Sequence, residues 1–534
     1  MSTLRGTGAF VRLALRLDRI KLPFWILGLA GITVITASAF QDLYPTVESR
    51  ELFGLSVSAN PALRAMLGPL FDASSIGGLT AWRIGFAIVL AGMMGFQTVV
   101  RHTRAEEETG RAELVRSAVV GRHAMLTAAL VVALLSGVVI AALIAAGMIG
   151  LGLDPTGSAA LGLMMAAGVW MFAAVGAFTA QLTGSARVAN GIAGAVLGLS
   201  YLLRALGDSV EDSGLSWLSW VSPIGWAQQL RPFADERWWV LGLVAAFVVI
   251  VGGSGYALVS RRDVDAGLLA PRPGRAEADP SLRSPLTLAW RLQRSTLLGW
   301  TIGFAVVGLA LGSIADSVGD IIGDNPQLEE IIAQLGGARG IVDAYIAGTM
   351  GIVGLVSSVY AVQAVLRLRF EEVNVRAETV LATRVTRLPW AASHVIIAIA
   401  GTALLLVVAG ATTGLVHGLR TGDLARELPR VLGGALAQLP AALVLTGIAL
   451  VLFGALPRLI MIAWVLVATT LVISQLGPML QFDQWVLDLA PFSHVPQLPG
   501  GEMTWTPLLW LTGVAVVSMV LGLAGFRRRD IGVG

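Results

Sequence analysis

Long apolar runs separated by short polar stretches dominate the hydrophobic pattern of this chain. Twelve of the runs approach the ~20 residues that an α-helix needs to cross the hydrocarbon layer of a membrane. The pattern therefore predicts an all-α polytopic membrane protein with about 12 transmembrane helices. The predicted spans cover residues 22–40, 82–101, 123–152, 157–183, 187–206, 238–259, 298–316, 347–366, 390–417, 431–455, 459–479 and 505–526.

Four stretches of the first half recur in the same order in the second half, which indicates a duplicated six-span unit. Because six is an even number, the second copy enters the membrane in the same direction as the first, so the repeat is parallel. A polar, proline-containing stretch separates the copies and is predicted to be a cytoplasmic linker. The predicted domains are 1–260 (first half), 261–285 (linker) and 286–534 (second half). The matching stretches are 13–28 with 288–303, 104–122 with 369–387, 221–230 with 489–498, and arginine runs beginning at 261 and 527.

Charge predicts the orientation of these spans, because cytoplasmic loops hold an excess of Lys and Arg. Most of the 37 Lys and Arg residues fall on one side of the membrane if the N-terminus is inside. Both termini are therefore predicted to be cytoplasmic. The sequence pI of 9.6 follows from this membrane topology and does not indicate a nucleic-acid partner.

Several kinds of chemistry are excluded or disfavoured by composition. The chain has no cysteine, and its five histidines are scattered, so no metal site is predicted. A phosphate-binding P-loop needs Gly-Lys followed by Ser or Thr. The one lysine, Lys21, is followed by Leu22. The chain therefore lacks that ATPase site, and we expect neither an enzyme nor a resident cofactor.

An arginine-studded amphipathic stretch precedes the first span of each half, at residues 11–20 and 286–295. Such a stretch is expected to form a helix in the inner membrane interface, with its arginines at the headgroups. A simple positive-inside anchor is the alternative for each copy. We name these two stretches the interfacial helices. Their aligned cations are Arg16, Arg19, Arg291 and Arg294.

The charged segments 104–122 and 369–387 lie between the second and third spans of each half. On a continuous helix, Glu107 with Arg111 and Glu372 with Arg376 stand at i,i+4, where opposite charges stabilise a helix. A short rigid helix with an apolar tip is therefore predicted twice, as a docking surface for a twofold partner. A solvated helix that merely joins two spans is the alternative.

These motifs resemble the permease subunit of an ABC-2-type ABC exporter, in particular the fused twelve-span actinobacterial antibiotic-efflux (tetronasin-type) group. The resemblance covers essentially the whole chain and implies a type V exporter-like fold. It identifies the charged segments as coupling helices that dock on a separate ABC ATPase subunit. Two similar docking segments make two identical copies of that subunit the simplest expectation, and ATP and Mg would bind to the ATPase. It also implies a bacterial plasma membrane location. The docking residues that it implies are Glu106, Glu107, Arg111, Glu113, Leu114 and Arg122 in the first half and Glu371, Glu372, Arg376, Glu378, Leu381 and Arg387 in the second.

The same resemblance places the transport route along spans 2, 5, 8 and 11 and an outer gate at the proline-containing stretches before the last span of each half. Polar groups within spans are costly unless they face a cavity or another helix, so helix packing is the alternative role for each. The candidate route residues are Met93, Met94, Phe96, Gln97, Tyr201, Arg204, Tyr360, Gln363, Thr470 and Gln475. The candidate gate residues are Pro223, Trp226 and Pro491.

The function expected from these observations is export of hydrophobic antibiotics, drugs or lipid-like compounds, with ATP hydrolysed by the separate subunit. Export as the direction follows from the resemblance alone. One alternative is a proton-coupled, major-facilitator-like multidrug antiporter, which also has twelve spans in parallel halves. Another is a polytopic membrane enzyme, against which the duplicated docking segments argue.

Overall fold

The computed structural model describes residues 3–58, 61–110, 120–209, 216–261, 267–269, 277, 279, 282–323, 337–476 and 483–530. The chain forms two compact units, Met1–Gly274 and Arg275–Gly534. The boundary between them falls inside the predicted linker. All regular structure in the described residues is helical.

The first unit contains twelve described α-helices. A π turn, Arg101–Ala105, and a final turn to Glu108 extend the sixth of them. The helices are α1 Thr7–Leu17, α2 Lys21–Leu43, α3 Val47–Ser58, α4 Pro61–Leu67, α5 Ile76–Arg83, α6 Ala87–Val100, α7 Ala124–Gly150, α8 Pro155–Leu182, α9 Ala186–Ser209, α10 Trp217–Val221, α11 Pro223–Gln228 and α12 Val240–Val259.

The second unit contains nine described α-helices, with short 3-10 turns at Pro457–Leu459 and Pro491–His494. The helices are α13 Pro285–Gly323, α14 Gly337–Val373, α15 Arg376–Leu381, α16 Arg387–Thr421, α17 Leu424–Leu436, α18 Leu439–Ala455, α19 Ile462–Leu476, α20 Gln484–Leu487 and α21 Trp505–Arg528.

Ten of the described helices, counting α17 with α18 as one, are long and apolar enough to cross a membrane. An eleventh crossing results if α5 and α6, which bend by 54° at residues 84–86, form one broken span. The prediction of a multi-pass, all-helical membrane protein is therefore confirmed for the described residues. The span predicted at 459–479 coincides with the shorter apolar helix Ile462–Ser474 and continues beyond the described residues, so it stays a prediction.

Each unit is built around its fourth predicted span. In the first unit that span is α8, whose most apolar 18-residue stretch is 83% buried, and it packs against α6, α7 and α12. In the second unit it is α17–α18, whose most apolar 18-residue stretch is 67% buried, and α18 packs against α14 and α21. The neighbouring helices therefore cover α8 and α18 on several sides.

Local sequence explains where α8 begins and how closely it packs. The Asp154 carboxylate accepts a hydrogen bond from the backbone N–H of Gly157 (2.8 Å), and Pro155 occupies the first helical position, as helix starts favour. At Gly95 of α6, a Cβ would lie 2.3 Å from the carbonyl oxygen of Val169. Only glycine therefore allows α6 to approach α8 this closely, which is how membrane helices gain packing energy.

Candidate functional site: the charged segments and their anchors

The first charged segment begins on the π turn at the end of α6. Arg104 is 1% exposed, and its guanidinium forms an ion pair of 2.9 Å with Glu107, which is 3% exposed. The Nε of Arg104 also donates to the carbonyl oxygen of Ala180 in α8 (2.9 Å). Because a buried ion pair needs further hydrogen bonds to offset its desolvation, this bond to α8 fixes the segment against the central helix.

The second charged segment contains the same pair at the aligned positions. Arg369 contacts Glu372 at 3.0 Å, and Glu372 is 4% exposed. Glu372 also accepts a hydrogen bond from Arg529 (2.9 Å), just beyond the end of α21, and its second carboxylate oxygen lies 2.7 Å from the same guanidinium as an ion pair. A carboxylate held by two guanidinium groups is well compensated for its burial, so the last helix of this unit is joined to its charged segment.

The predicted helical pairing of Glu372 with Arg376 is wrong. Helix α14 ends at Val373, and Val375 then adopts a left-handed backbone with φ of 60° before α15 begins. This break interrupts the helical i,i+4 relation. In the first unit the helix ends at Glu108, and Gly110 has φ of 72°. Arg111, Glu113 and Leu114 lie outside the described residues.

An arginine fixes the far end of each charged segment to the end of the last helix of its own unit. The Nε of Arg122 donates to the carbonyl oxygen of Val259 (3.0 Å). The guanidinium of Arg387 donates to the carbonyl oxygen of Arg529 (2.8 Å). Cations near a helix C-terminus satisfy its unpaired carbonyl groups and favour its dipole. Each segment is therefore fastened at both ends inside its unit.

The docking candidates thus divide into buried anchors and surface groups. Glu371 is 5% exposed and is paired with Arg367, so it joins Glu107 and Glu372 inside the fold. Arg376 and Glu378 of α15 are exposed, whereas Glu106 and Leu381 are half-buried. The exposed apolar side chains of this surface are Phe370, Val373 and Val375.

Sequence reasoning missed a junction that joins the first interfacial helix to the charged segment. Asp18, directly after α1, bonds His102 (2.5 Å) and Arg101 (3.0 Å) of the π turn. Burial disfavours ionisation of Asp18, but the hydrogen bond and charge of His102, with the charges of Arg101 and Lys21, outweigh it and lower the pKa of Asp18. The sequence shows only an acidic residue within a cationic stretch, which does not identify a partner.

The second interfacial segment is built differently. Its residues are the first turns of the continuous helix α13, because no break separates them from the following span. Gln293 aligns with Asp18 and bonds the Nδ1 of His394 in α16 at 3.0 Å. A neutral amide therefore replaces the carboxylate at this junction. The cations Arg16, Arg19, Arg291 and Arg294 are all exposed, as an interfacial position requires.

The candidate route residues occupy several environments, and their role stays a prediction. Met94 and Phe96 are buried in the core of the first unit, whereas Met93 is half-buried and Gln97 is exposed. In the second unit Tyr360 and Thr470 are buried, Gln363 accepts a hydrogen bond from the Trp300 indole (3.0 Å), and the side chain of Gln475 lies outside the described part.

Span α9 carries a polar cluster built on two other route candidates. The hydroxyl of Tyr201 and the guanidinium of Arg204 both donate to the carbonyl oxygen of Met66 in α4, at 2.8 Å and 3.1 Å. Asp208 lies 3.6 Å from Arg204 and accepts a bond from Ser219 (2.5 Å). Because unpaired polar groups are costly inside a membrane, these bonds explain how the buried guanidinium of Arg204 is tolerated within this unit.

The predicted outer gate of the first unit is a pair of short helices, α10 and α11, joined at Ser222. The Ser222 hydroxyl donates to the carbonyl oxygen of Ser200 (2.7 Å) and accepts from the N–H of Gly225 (3.1 Å). Pro223 is the first residue of α11, and the Trp226 indole donates to the carbonyl oxygen of Trp220 (2.6 Å). In the second unit Pro491 begins the aligned 3-10 turn.

Taken together, the fold and the charged segments define a multi-pass helical membrane protein with the organisation of a transport permease. The chain belongs to the family described as the multidrug efflux system permease Rv1217c, C-terminal domain, whose model matches residues 9–257 and 282–527. The multidrug efflux system permease protein Rv1217c of Mycobacterium tuberculosis (strain ATCC 25618 / H37Rv) is 41% identical over 527 residues, which cover 98% of this chain and 95% of that protein. The protein is therefore a permease rather than an enzyme, as predicted, and the antiporter alternative gains no support.

Proposed function

We propose that this protein is the membrane subunit of an ATP-driven ABC-2-type exporter, with twelve spans in two parallel six-span repeats and both termini cytoplasmic. A separate ABC ATPase, present as two identical copies, binds ATP and Mg and docks on the two charged segments. The complex resides in a bacterial plasma membrane and removes hydrophobic antibiotics, drugs or lipid-like compounds from the cell.

One observation carries this proposal: both units anchor their charged segment in the same way. Each has an Arg–Glu pair at i,i+3 whose glutamate is buried, a left-handed residue three positions after the glutamate, and an arginine bonded to a carbonyl oxygen at the end of its last helix. A loop that only joins two spans has no need for three fixed points. A surface that receives force from an ATPase subunit needs such fixed points, because a flexible contact would absorb the movement.

The matched anchors also support duplication of the six-span unit. The two intervals that the family model matches fall one on each side of the linker region. A repeated unit presents two similar surfaces, and two copies of one ATPase are their simplest complement. The cargo class is supported by the relative from Mycobacterium tuberculosis, which is named as a multidrug efflux system permease.

The exposed residues of α15 define the sharpest docking test, because their replacement leaves the buried anchors intact. The test variant combines Arg376→Ala and Glu378→Ala with the aligned Arg111→Ala and Glu113→Ala. A matched control, Asp423→Ala with Arg426→Ala, removes an exposed acid and an exposed arginine at the start of α17. ATPase activity and copurification are measured in nanodiscs for the permease alone and with an ABC ATPase subunit from the same organism.

We expect the permease alone to be inert, the pair to hydrolyse ATP, and the test variant to lose association while the control keeps it. Association that is unaffected by the four substitutions would place docking elsewhere on the chain. Failure of any ATPase to associate, together with drug movement that follows a proton gradient, would replace the ABC assignment with the antiporter.

A further inference from the structure

A cavity of about 310 Å³ lies within the second unit, beneath the segment that begins at α20. One wall is α14, where Ala347, Gly348 and Gly351 face the space, and another is the end of α19. Gln438, the residue just before α18, and the turn at Pro491–His494 also line the cavity. This volume is at the lower end of the range that small-molecule sites occupy in proteins.

The polar groups of the cavity are all uncharged. Gln484 already donates to Asp488 (2.8 Å) and Ser493 to the carbonyl oxygen of Ala490 (2.6 Å). Two others differ, since the Oε1 of Gln438 and the Oγ of Ser474 are buried without a hydrogen-bond partner among the described residues. Gln438 is only 4% exposed. The uncharged polar lining residues are Gln438, Ser474, Gln484, Ser493 and Gln497.

A buried amide without a partner costs roughly 1–3 kcal/mol, so its retention calls for an explanation. The backbone makes room for this side chain, because a Cβ at Gly354 would lie 2.5 Å from the Cβ of Gln438. Gln438 is therefore held against α14 at the cavity wall. Leucine would fill much the same volume there without leaving a polar atom unpaired.

We propose that this cavity binds an uncharged organic compound through a hydroxyl or amide N–H group. That group donates to the Oε1 of Gln438, and Ser474 bonds a second polar atom of the compound. The apolar body packs on Ala347, Ile473 and Phe492 of the lining. A charged compound is excluded, because none of the described lining residues carries a compensating charge. The identification of this ligand as cargo rests on the proposed export function, whereas its binding does not.

Chloramphenicol is a suitable probe, since it is uncharged and carries two hydroxyl groups and one amide N–H. Binding is measured by equilibrium dialysis on the purified permease in nanodiscs, with no ATPase and no ion gradient. Failure of the export mechanism therefore leaves this measurement unchanged. Ethidium, a permanent cation, serves as the counter-probe.

Three variants test the site. Gln438→Leu and Ser474→Ala each remove one polar partner, and we expect each to weaken binding about tenfold, the factor that corresponds to one lost hydrogen bond to a neutral group. Gly351→Leu fills the cavity, and no atom lies within 4 Å of a Cβ built there. Gly303→Leu is its matched control, because that helical glycine is equally unobstructed and does not line the cavity.

Thermal unfolding separates a lost site from a lost fold. Gln438→Leu removes an unpaired buried oxygen, so its unfolding midpoint is expected to equal or exceed that of the original protein while binding falls. Binding that is unchanged in Gln438→Leu and Gly351→Leu, absent from the original protein, or equally strong for ethidium would overturn the proposal.

Discussion

Gly110 and Val375, the aligned positions at which the two charged segments differ, share a left-handed backbone conformation, with φ of 72° and 60°. Glycine adopts this conformation without steric cost, whereas for a β-branched residue it is a strained outlier. The two copies therefore make the same turn after the buried glutamate, and the second copy does so against the preference of its own residue.

This strain predicts that Val375→Gly stabilises the protein. The left-handed conformation costs a side chain roughly 1–2 kcal/mol, and glycine gives back part of that through the flexibility of the unfolded chain. Val375 is 46% exposed, so little packing is lost. We expect a higher thermal unfolding midpoint in nanodiscs, equivalent to about 1 kcal/mol or less.

The reciprocal change supplies the control. Nothing lies within 4 Å of a Cβ built at Gly110, so Gly110→Ala tests the backbone alone and is expected to destabilise. Gly433→Ala, within α17 and equally unobstructed, is expected to stabilise because alanine favours a helix. If both alanine variants moved the midpoint in the same direction, backbone strain would not explain the difference between the copies.

The hydrophobic pattern was enough to predict the helical class and the approximate positions of ten spans, because span length and apolar content are local properties. Alignment of the two halves was enough to identify Arg369 as the counterpart of Arg104 and Glu372 as the counterpart of Glu107. The ion-pair and hydrogen-bond partners of these residues could not be predicted from the sequence. Helix spacing suggested Arg376 for Glu372, but Arg529, 157 residues away in sequence, occupies that place in the fold.

The junction at Asp18 shows the same limit. Its sequence neighbours are basic, and their spacing favours an interfacial helix, so the carboxylate gave no reason to expect a bond to His102, 84 residues later. The break between α1 and α2 is what turns Asp18 inward. At the aligned position the second unit has Gln293 on a continuous helix, and only the structure distinguishes the two arrangements.

Glu372→Gln is predicted to destabilise the protein strongly. The substitution leaves Arg369 and Arg529 without the buried carboxylate that compensates them, a loss of roughly 3 kcal/mol for a buried pair. Glu378→Gln removes the same charge from an exposed position of α15 and is the control, with an expected change within about 0.5 kcal/mol. Thermal unfolding in nanodiscs measures both variants. Equal midpoints for the two would show that the Glu372 network contributes no stability.

The acid stability of the first unit is predicted to depend on Asp18. Its folded pKa lies below the ordinary value of 3.8, so its contribution is present above about pH 4 and is lost as the pH falls through the lower, folded value. Asp18→Asn should therefore lower the unfolding midpoint at neutral pH and reduce its decline below pH 4. Asp423→Asn, at an exposed turn, is the comparison. An Asp18→Asn profile parallel to that of the original protein would refute the linkage.

Ser222→Ala is predicted to loosen the bend between α10 and α11. The hydroxyl caps α11 and bonds Ser200, so its removal is expected to cost about 1–2 kcal/mol. The aligned Ala490 has nearly the same backbone, with ψ of 122° at both positions, which indicates that alanine permits the turn and that the loss comes from the hydrogen bonds. Ser216→Ala, at the exposed N-cap of α10 where the side chain makes no capping hydrogen bond, is the control. Faster amide hydrogen exchange at Ile224 and Gly225 in Ser222→Ala is the expected readout, and unchanged exchange there would show that Pro223 and packing alone hold the bend.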